Sequence, residues 1–465
     1  MEDIMLKLSN YKHIHCIGIG GIGLSAIAEI LLSKGHWVSG SDVKENEQTE
    51  RLKQSGALIF IGHDADNIVG ADMVIYSAAI GQDNPELLAA IQNGIPVATR
   101  AEILGYLMKQ YKHSIAISGT HGKTTTTSMV SLILENNQLD PTILIGGNLT
   151  EINGNVKVGQ GQYFVTEACE YMDNFLNLFP RYEIILNIDS DHLDYFKDID
   201  HIVNSFEQFA KLVPEDGTVI AYSANPFVNA IIRNLNCNVI TFGFNEQCDY
   251  HAENIIFNSC GMPSFDLCSR GKFLCHLQLS VPGEHNIANA LAAAACCHNL
   301  GVDLSHISST LETYTGTQRR FDVIGVTKNN IRIVDDYAHH PTEIKATLSA
   351  ADNIPHNNLW CLFQPHTYTR TLALFDEFAE ALHEADKVIL TDIYAAREKN
   401  IYKVSSKELV AEMKRSDPNK EVYYFSNFEE IANFVINNAE PGDLVLTMGA
   451  GDIYKVAEMI LEKDS

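Results

Sequence analysis

The sequence predicts three consecutive α/β domains, and three observations carry that expectation. The chain has 465 residues, about three times a usual single-domain length. Apolar strand patterns alternate with helix patterns from end to end, which indicates parallel sheets covered on both faces. Gly-rich turns follow strand patterns directly at residues 18–23 and 119–122. Hydrophobic residues are 46% of the chain and charged residues 20%, enough to bury cores and too apolar for disorder. The expected units are residues 1–113, 114–318 and 319–465.

In the first unit, the apolar run 13–18 predicts a strand, followed by the Gly-rich turn and an apolar helix to residue 32. Residues 38–41 and 73–76 read as further strands, and 85–93 as a helix. The second unit opens with a strand at 114–117, and its helix continues over 129–135. Strand patterns recur at 163–166, 183–187 and 218–221. In the third unit, strands are expected at 331–334, 359–363, 387–390, 422–425 and 444–447, with helices at 372–383 and 428–437. That spacing suits a doubly wound sheet. No tandem repeat or low-complexity segment interrupts it.

Lys plus Arg number 33 and Asp plus Glu 59, a net charge of −26. This argues against a nucleic-acid partner and against an anionic membrane surface, but allows a local basic pocket for one phosphorylated ligand. Ten cysteines are scattered without a Cys-x-x-Cys pair, the pattern of reduced thiols in a cytosolic protein. Cys169, Cys296 and Cys297 have no base nearby in sequence and read as packing residues. The N-terminus lacks an apolar signal core, and no run reaches the ~20 apolar residues of a membrane span. The expected location is the cytoplasm.

Gly18-Ile-Gly20-Gly21-Ile-Gly23 fits G-x-G-x-x-G between a strand and a helix, with Asp42 after the next strand. Such a turn lets backbone approach a pyrophosphate at a helix N-terminus. It does not separate a dinucleotide from a UDP-type ligand, and a plain tight turn would look similar. Gly119-Thr120-His121-Gly122-Lys123-Thr124-Thr125 is the strongest signal. Its N–H groups can cradle phosphates, Lys123 can reach β and γ oxygens, and a Thr hydroxyl can ligate Mg²⁺. Two residues stand between its glycines where the usual loop has four.

Glu167 and Glu170 follow one strand; Asp189, Asp191, His192 and Asp194 follow the next. Alone, each cluster reads as a solvated loop or cap. Beside a phosphate loop, hard oxygens and one imidazole suit Mg²⁺. His285, Asn286 and Asn289 open an Ala-rich helix and serve equally as base readers or as part of a cap. Arg319 and Arg320 mark the junction of the second and third units. Asp336, Tyr337, His339 and His340 follow one strand of the third unit; His366 and Arg370 follow another. Together they suggest a small polar pocket. The two adjacent histidines could bind a metal but lack a third ligand at useful spacing.

In this order, these segments resemble the Mur ligases, ATP-dependent amide-forming enzymes of peptidoglycan precursor synthesis. The resemblance covers nearly the whole chain through residues 18–25, 39–42, 77–80, 119–125, 283–289, 319–321, 335–343 and 363–371. It implies a Rossmann-like N-terminal domain, a central P-loop ATPase-like domain and a Rossmann-like C-terminal domain. It further implies that the first holds the UDP part of a substrate, through Gly20, Gly21, Gly23, Ser41, Asp42 and Ser77. ATP would meet residues 119–125, named above, with His285, Asn286, Asn289, Arg320 and Asp336. Lys123 would hold the transferring phosphate, while Thr124, Glu167 and His192 would bind magnesium. Tyr337, His339 and Arg370 would face an amino acid. Segments 335–343 and 363–366 point to the branch that joins L-alanine to the lactyl carboxylate of UDP-N-acetylmuramate through an acyl phosphate, releasing ADP and phosphate. Oligomeric state is left open.

Two departures from the family pattern stand out. Thr367 occupies a position that is often Arg, which shifts carboxylate recognition toward Arg370. Glu167-Ala-Cys-Glu-Tyr-Met replaces the frequent Glu-Ala-Asp-Glu-Ser-Asp. Rival readings are a ligase that attaches a whole tripeptide to the same UDP-sugar, an NAD-dependent dehydrogenase domain fused to a P-loop module, and a nucleotide-binding regulator without turnover.

Overall fold

A computed structural model describes residues 8–464 apart from 78 and 397. The N-terminal expectation over residues 1–7, and Ala78 within the 77–80 segment, lie outside the described residues. Among the described residues, three sheets follow one another along the chain. The first has five parallel strands in the order Leu58–Ile61, Trp37–Asp42, His13–Ile17, Met73–Tyr76, Val97–Thr99. His13–Ile17 is buried along its whole length, as a central parallel strand covered on both faces must be. The strand order reverses at this strand, so the crevice at its C-terminal end is open to a ligand.

The central sheet has ten strands. From one edge they run Lys272–Gln278, Pro263–Ser269, Tyr250–Phe257, Asn238–Gly243, Thr218–Tyr222, Tyr182–Ile185, His113–Ser118, Tyr163–Glu167, Thr142–Leu149, Gly154–Lys157. The interior is parallel, while antiparallel strands close both edges. The third sheet runs Asp322–Val326, Arg332–Asp336, Leu444–Met448, Leu359–Phe363, Lys387–Leu390, Glu421–Tyr424. Its first strand is antiparallel to its neighbour and the others are parallel.

The sequence expectation and the fold differ at identifiable places. The sequence pattern shows no strands between residues 222 and 331, where the chain forms four in the central sheet. Tyr250–Phe257 is buried only over its first three residues and half-buried or exposed beyond them, and Lys272–Gln278 is mostly exposed. Such strands carry no continuous apolar run. The single helix expected at 372–383 is two, Tyr368–Ala373 and Phe375–Leu382, broken at Leu374.

The first two units share one apolar cluster, which runs from Ile27 and Leu104 to Phe175 and Phe206. Contact between them is close at Gly105, where an added Cβ would stand 1.8 Å from the Asn177 carbonyl oxygen.

Glu183, in the central sheet, is fully buried. Its Oε1 accepts a hydrogen bond from Ser118 Oγ at 2.9 Å, and its Oε2 has no partner among the described residues. Burial, only partly offset by Ser118, pushes its carboxyl up to about 8. The folded chain therefore keeps a proton that the unfolded chain releases above about 4.3. Stability accordingly falls as pH rises from about 4.3 to about 8, by up to ~1.4 kcal/mol per pH unit. Glu183→Gln should flatten that slope. In thermal unfolding, its advantage over the parent chain should grow between about pH 5 and about pH 8.

Candidate active site

The phosphate loop leaves the buried strand His113–Ser118 and enters the helix Lys123–Asn136. Gly122 caps that helix at φ +84°, and a Cβ there would stand 2.6 Å from Asn289 Oδ1. Glycine is required both by the left-handed backbone and by the approach of the helix Glu284–Asn299. Asn187 fastens the loop: its carbonyl accepts from Thr120 N at 3.2 Å, and its Oδ1 accepts from His121 N at 2.8 Å.

Lys123 Nζ donates to the Gly119 carbonyl, to the Thr120 carbonyl at 3.1 Å and to the Glu170 carboxylate at 2.9 Å. Burial opposes its charge, but Glu170 outweighs burial and raises its pKa. The strand order explains this meeting. His113–Ser118 lies between Tyr163–Glu167 and Tyr182–Ile185, so segments after both neighbours converge on the loop. Glu167 Oε1 accepts from Gly146 N at 2.6 Å. His192, at φ +53°, places Nε2 3.9 Å from Glu170 Oε1. Thr124 is buried, with Gly147 against its methyl group. Among the described residues, Glu167, Glu170 and His192 are not a group whose ligand atoms all fall within 4.8 Å; His121, Asp189 and His340 are one, and His251, Glu253 and Cys268 another.

A cavity of about 630 Å³ opens between the central and C-terminal units. His121, Gly122, Thr125, His285, Asn286, Asn289, Arg320 and Asp336 line it, so most of the residues expected to meet ATP share one space. Burial pushes the His285 imidazole down to about 4, leaving it neutral at pH 7. Asn289 Nδ2 donates to Asn286 Oδ1 at 3.0 Å, and Asn289 Oδ1 accepts from Thr126 Oγ1 at 3.2 Å. Arg320 lies 4.9 Å from the Tyr337 ring centre. Burial, partly offset by Arg320, pushes the Asp336 carboxyl up to about 6, and its oxygens accept from Phe321 N and Ala338 N.

Two ion-paired groups join the same two units. His121 Nε2 lies 3.3 Å from Asp189 Oδ2, and its Nδ1 lies 3.1 Å from Glu343 Oε1. Burial opposes a charge on His121, yet these two carboxylates raise it to about 9. Arg370 donates through Nε and Nη2 to Asp191 Oδ1 at 2.9 and 2.8 Å. Burial works against the Asp191 charge, but Arg370 holds its carboxyl well below the usual range.

A second cavity, of about 360 Å³, is lined by Tyr171, His192, His366, Thr367 and Arg370 among others. Tyr337 and His339, expected beside Arg370, do not line it. His339 is turned toward the Tyr337 carbonyl, 2.9 Å from Nδ1, and burial pushes it down to about 3.

A third cavity, of about 270 Å³, separates the first and central units and is lined by Gly23, Arg100, Gly146, Glu167 and Cys169. Of the six residues expected to hold a UDP group, Gly23 lines it. Gly21 caps the helix Ile22–Ser33. Gly20 N donates to Asp42 Oδ2 at 2.9 Å. Ser41 is buried and donates to Glu86 Oε2 at 2.6 Å. A Cβ on Gly18 would stand 3.1 Å from Ser77 Oγ, which shows how closely Ser77 packs on the turn. Cys169, expected to pack in a core, is instead exposed to this cleft, because the chain after Tyr163–Glu167 leaves the sheet there. The sequence reading missed the pairing roles of Glu170, Asp189, Asp191 and Glu343. Their only sequence signal is position just after a strand or at the start of a helix.

Three family domains match the chain in order. Residues 13–112 match the Mur ligase family, catalytic domain; residues 117–297 the Mur ligase middle domain; and residues 319–451 the Mur ligase, glutamate ligase domain. The UDP-N-acetylmuramate–L-alanine ligase of Alkaliphilus metalliredigens is 52% identical over 97% of both chains. Its namesake from Caldanaerobacter subterraneus is 50% identical over 99% of both. The solved UDP-N-acetylmuramate-alanine ligase of Thermotoga maritima aligns with a TM-score of 0.81 at 32% identity, covering 97% of this chain and 99% of that one. A murein peptide ligase from Psychrobacter arcticus aligns with a TM-score of 0.73 at 26% identity, covering 97% and 98%.

The His121 clamp sets a pH limit on the join between the central and C-terminal units. Its contribution is fully present below the unfolded value of about 6.5 and is lost as pH rises through about 9. Small-angle scattering of the ligand-free chain should therefore show expansion as pH passes 9, and His121→Phe should remove that dependence.

Proposed function

Because the chain belongs to the Mur ligase family, we propose that it joins L-alanine to the lactyl carboxylate of UDP-N-acetylmuramate, with ATP converted to ADP and phosphate, in peptidoglycan precursor synthesis. What carries this reading is 52% identity over 97% of both chains to a relative named for that reaction. Residues 1–113 hold the UDP part, 114–318 hold ATP, and 319–465 receive the amino acid. The three cavities at the unit boundaries support this division. The cytoplasm is its place of work, in keeping with ten free cysteines. No helix among the described residues is long and apolar enough to cross a membrane.

In the first step, a carboxylate oxygen of the sugar's lactyl group attacks the γ-phosphorus, and ADP leaves. The N–H groups of residues 119–125 and the start of the helix Lys123–Asn136 hold the phosphates. Glu170 keeps the Lys123 ammonium charged and aimed at the loop mouth until γ-phosphate oxygens take its place. Thr124, Glu167 and His192 offer a hydroxyl, a carboxylate and an imidazole beside this lysine, a donor set that fits Mg²⁺ when phosphate oxygens and water complete it. Bound there, Mg²⁺ neutralises phosphate charge.

In the second step, the alanine amine attacks the acyl carbon and phosphate leaves. The amine proton must pass to a base. His339 is buried and pushed down to about 3, which makes it a weak base. His192 lines the second cavity with Arg370, but an imidazole bound to Mg²⁺ has no lone pair left for a proton, so neither histidine is a ready acceptor in the metal-loaded enzyme. The alanine carboxylate reaches Arg370 by displacing or sharing Asp191.

Alanine-dependent ADP release with UDP-N-acetylmuramate tests the reading. No ADP release with any small amino acid would sink it, and a preference for the tripeptide acceptor would assign the chain to the recycling reaction instead. Lys123→Ala should lower phosphoryl transfer by at least ~10³-fold, while calorimetry shows UDP-N-acetylmuramate affinity within a few-fold of the parent.

A further inference from the structure

His121, Asp189 and His340 come together from three segments: the phosphate loop, the stretch after the strand Tyr182–Ile185, and the N-cap of the helix Pro341–Asp352. Their ligand atoms all lie within 4.8 Å of one another. His121 Nε2 is 3.3 Å from Asp189 Oδ2, and His340 Nδ1 is 4.0 Å from the same oxygen. Bonds of about 2.0–2.2 Å at a tetrahedral Zn²⁺ place ligand atoms about 3.4 Å apart. Of the three pairs, one already has that spacing, the second needs a closure of roughly half an ångström, and the two histidine nitrogens lie within 4.8 Å of each other.

Metal entry displaces the Nε2 proton that His121 directs at Asp189 in the ion-free chain, and the remote nitrogens of both rings are held as in a metal-binding pair. His340 Nε2 lies 3.0 Å from the Ser190 carbonyl oxygen. That nitrogen carries the proton, so the Nδ1 lone pair lies on the side of Asp189 and His121, where it accepts a long cap bond of 3.3 Å from Thr342 N that a metal would have to replace. His121 Nδ1 lies 3.1 Å from Glu343 Oε1, a carboxylate–imidazole contact on the side away from Asp189. Ligating histidines are oriented by such contacts from the remote nitrogen. Asp189 is itself fixed, with Oδ1 accepting from Ser190 N at 2.8 Å and Oδ2 from Thr342 Oγ1 at 2.7 Å.

We propose that His121, Asp189 and His340 form a transition-metal site of the Zn²⁺ class that fastens the central unit to the C-terminal unit. Two imidazoles and one carboxylate select such an ion over Mg²⁺. The site is therefore chemically distinct from the magnesium position assigned to Thr124, Glu167 and His192. His121 and Asp189 both line the 630 Å³ cavity, so a fourth coordination position opens toward the nucleotide. The inference stands on metal binding alone and does not require the ligase reaction.

The test uses the full chain, reduced, in excess Mg²⁺, with Co²⁺ as the probe. One equivalent should produce the visible absorption of tetrahedral Co²⁺, and Zn²⁺ should abolish it. His340→Asn preserves helix capping, since Asn is a good N-cap residue, but removes the imidazole. It should lose the band, and so should Asp189→Asn. Glu343→Gln should weaken Co²⁺ binding by about 10- to 100-fold, as loss of an outer-shell partner does. Cys268→Ser tests the other cluster, His251, Glu253 and Cys268, and should leave the band unchanged. Absence of a band in the parent chain, or a band retained in both His340→Asn and Asp189→Asn, overturns the proposal. So does a band lost in Cys268→Ser.

Discussion

The turn at residues 119–122 must carry the chain from a buried strand into a buried helix. That constraint organises the rest of the site. The left-handed backbone at Gly122 aims the first helical N–H groups outward, and the close packing of Asn289 against Gly122 pins the Ala-rich helix to the loop. Asn187 ties the same turn to the neighbouring strand's continuation. The loop is thus both a candidate anion cradle and the point where three segments of the central unit are joined.

The charge of the molecule makes sense from this centre outward. A chain at −26 would repel a polyanion, yet its candidate phosphate site is built from backbone N–H groups and a few buried cations. Three buried cations at and around it are each held by carboxylates: Lys123 by Glu170, His121 by Asp189 and Glu343, Arg370 by Asp191. A buried ion pair stores little net stability but strongly disfavours loss of one partner. The His121 and Arg370 pairs hold charged side chains in place at cavity walls, where a ligand can exchange with a carboxylate rather than desolvate a bare cation.

Much of this site was legible in the sequence, for a physical reason. Residues 119–125 are contiguous, and a strand–turn–helix with glycine at its tight points leaves a local trace. The grouping of His285, Asn286 and Asn289 on one cavity wall was legible as well, because they share the first turns of one helix. Cys169 was misread because exposure depends on where the chain leaves the sheet. The antiparallel edge strands of the central sheet were missed because half-exposed strands lack a continuous apolar run.

By itself, the sequence determined the α/β alternation, the position of both Gly-rich turns and the residue types offered at strand ends, since these follow from local periodicity and backbone preference. Strand order was decided only in the tertiary structure. It sets Tyr163–Glu167 and Tyr182–Ile185 on either side of His113–Ser118, bringing Glu170 to Lys123 and Asp189 to His121. The packing of the third unit then brought Glu343, His340 and Arg370 against partners 150 or more positions away. Contacts of that separation depend on how whole sheets dock, and no local pattern of residues encodes it.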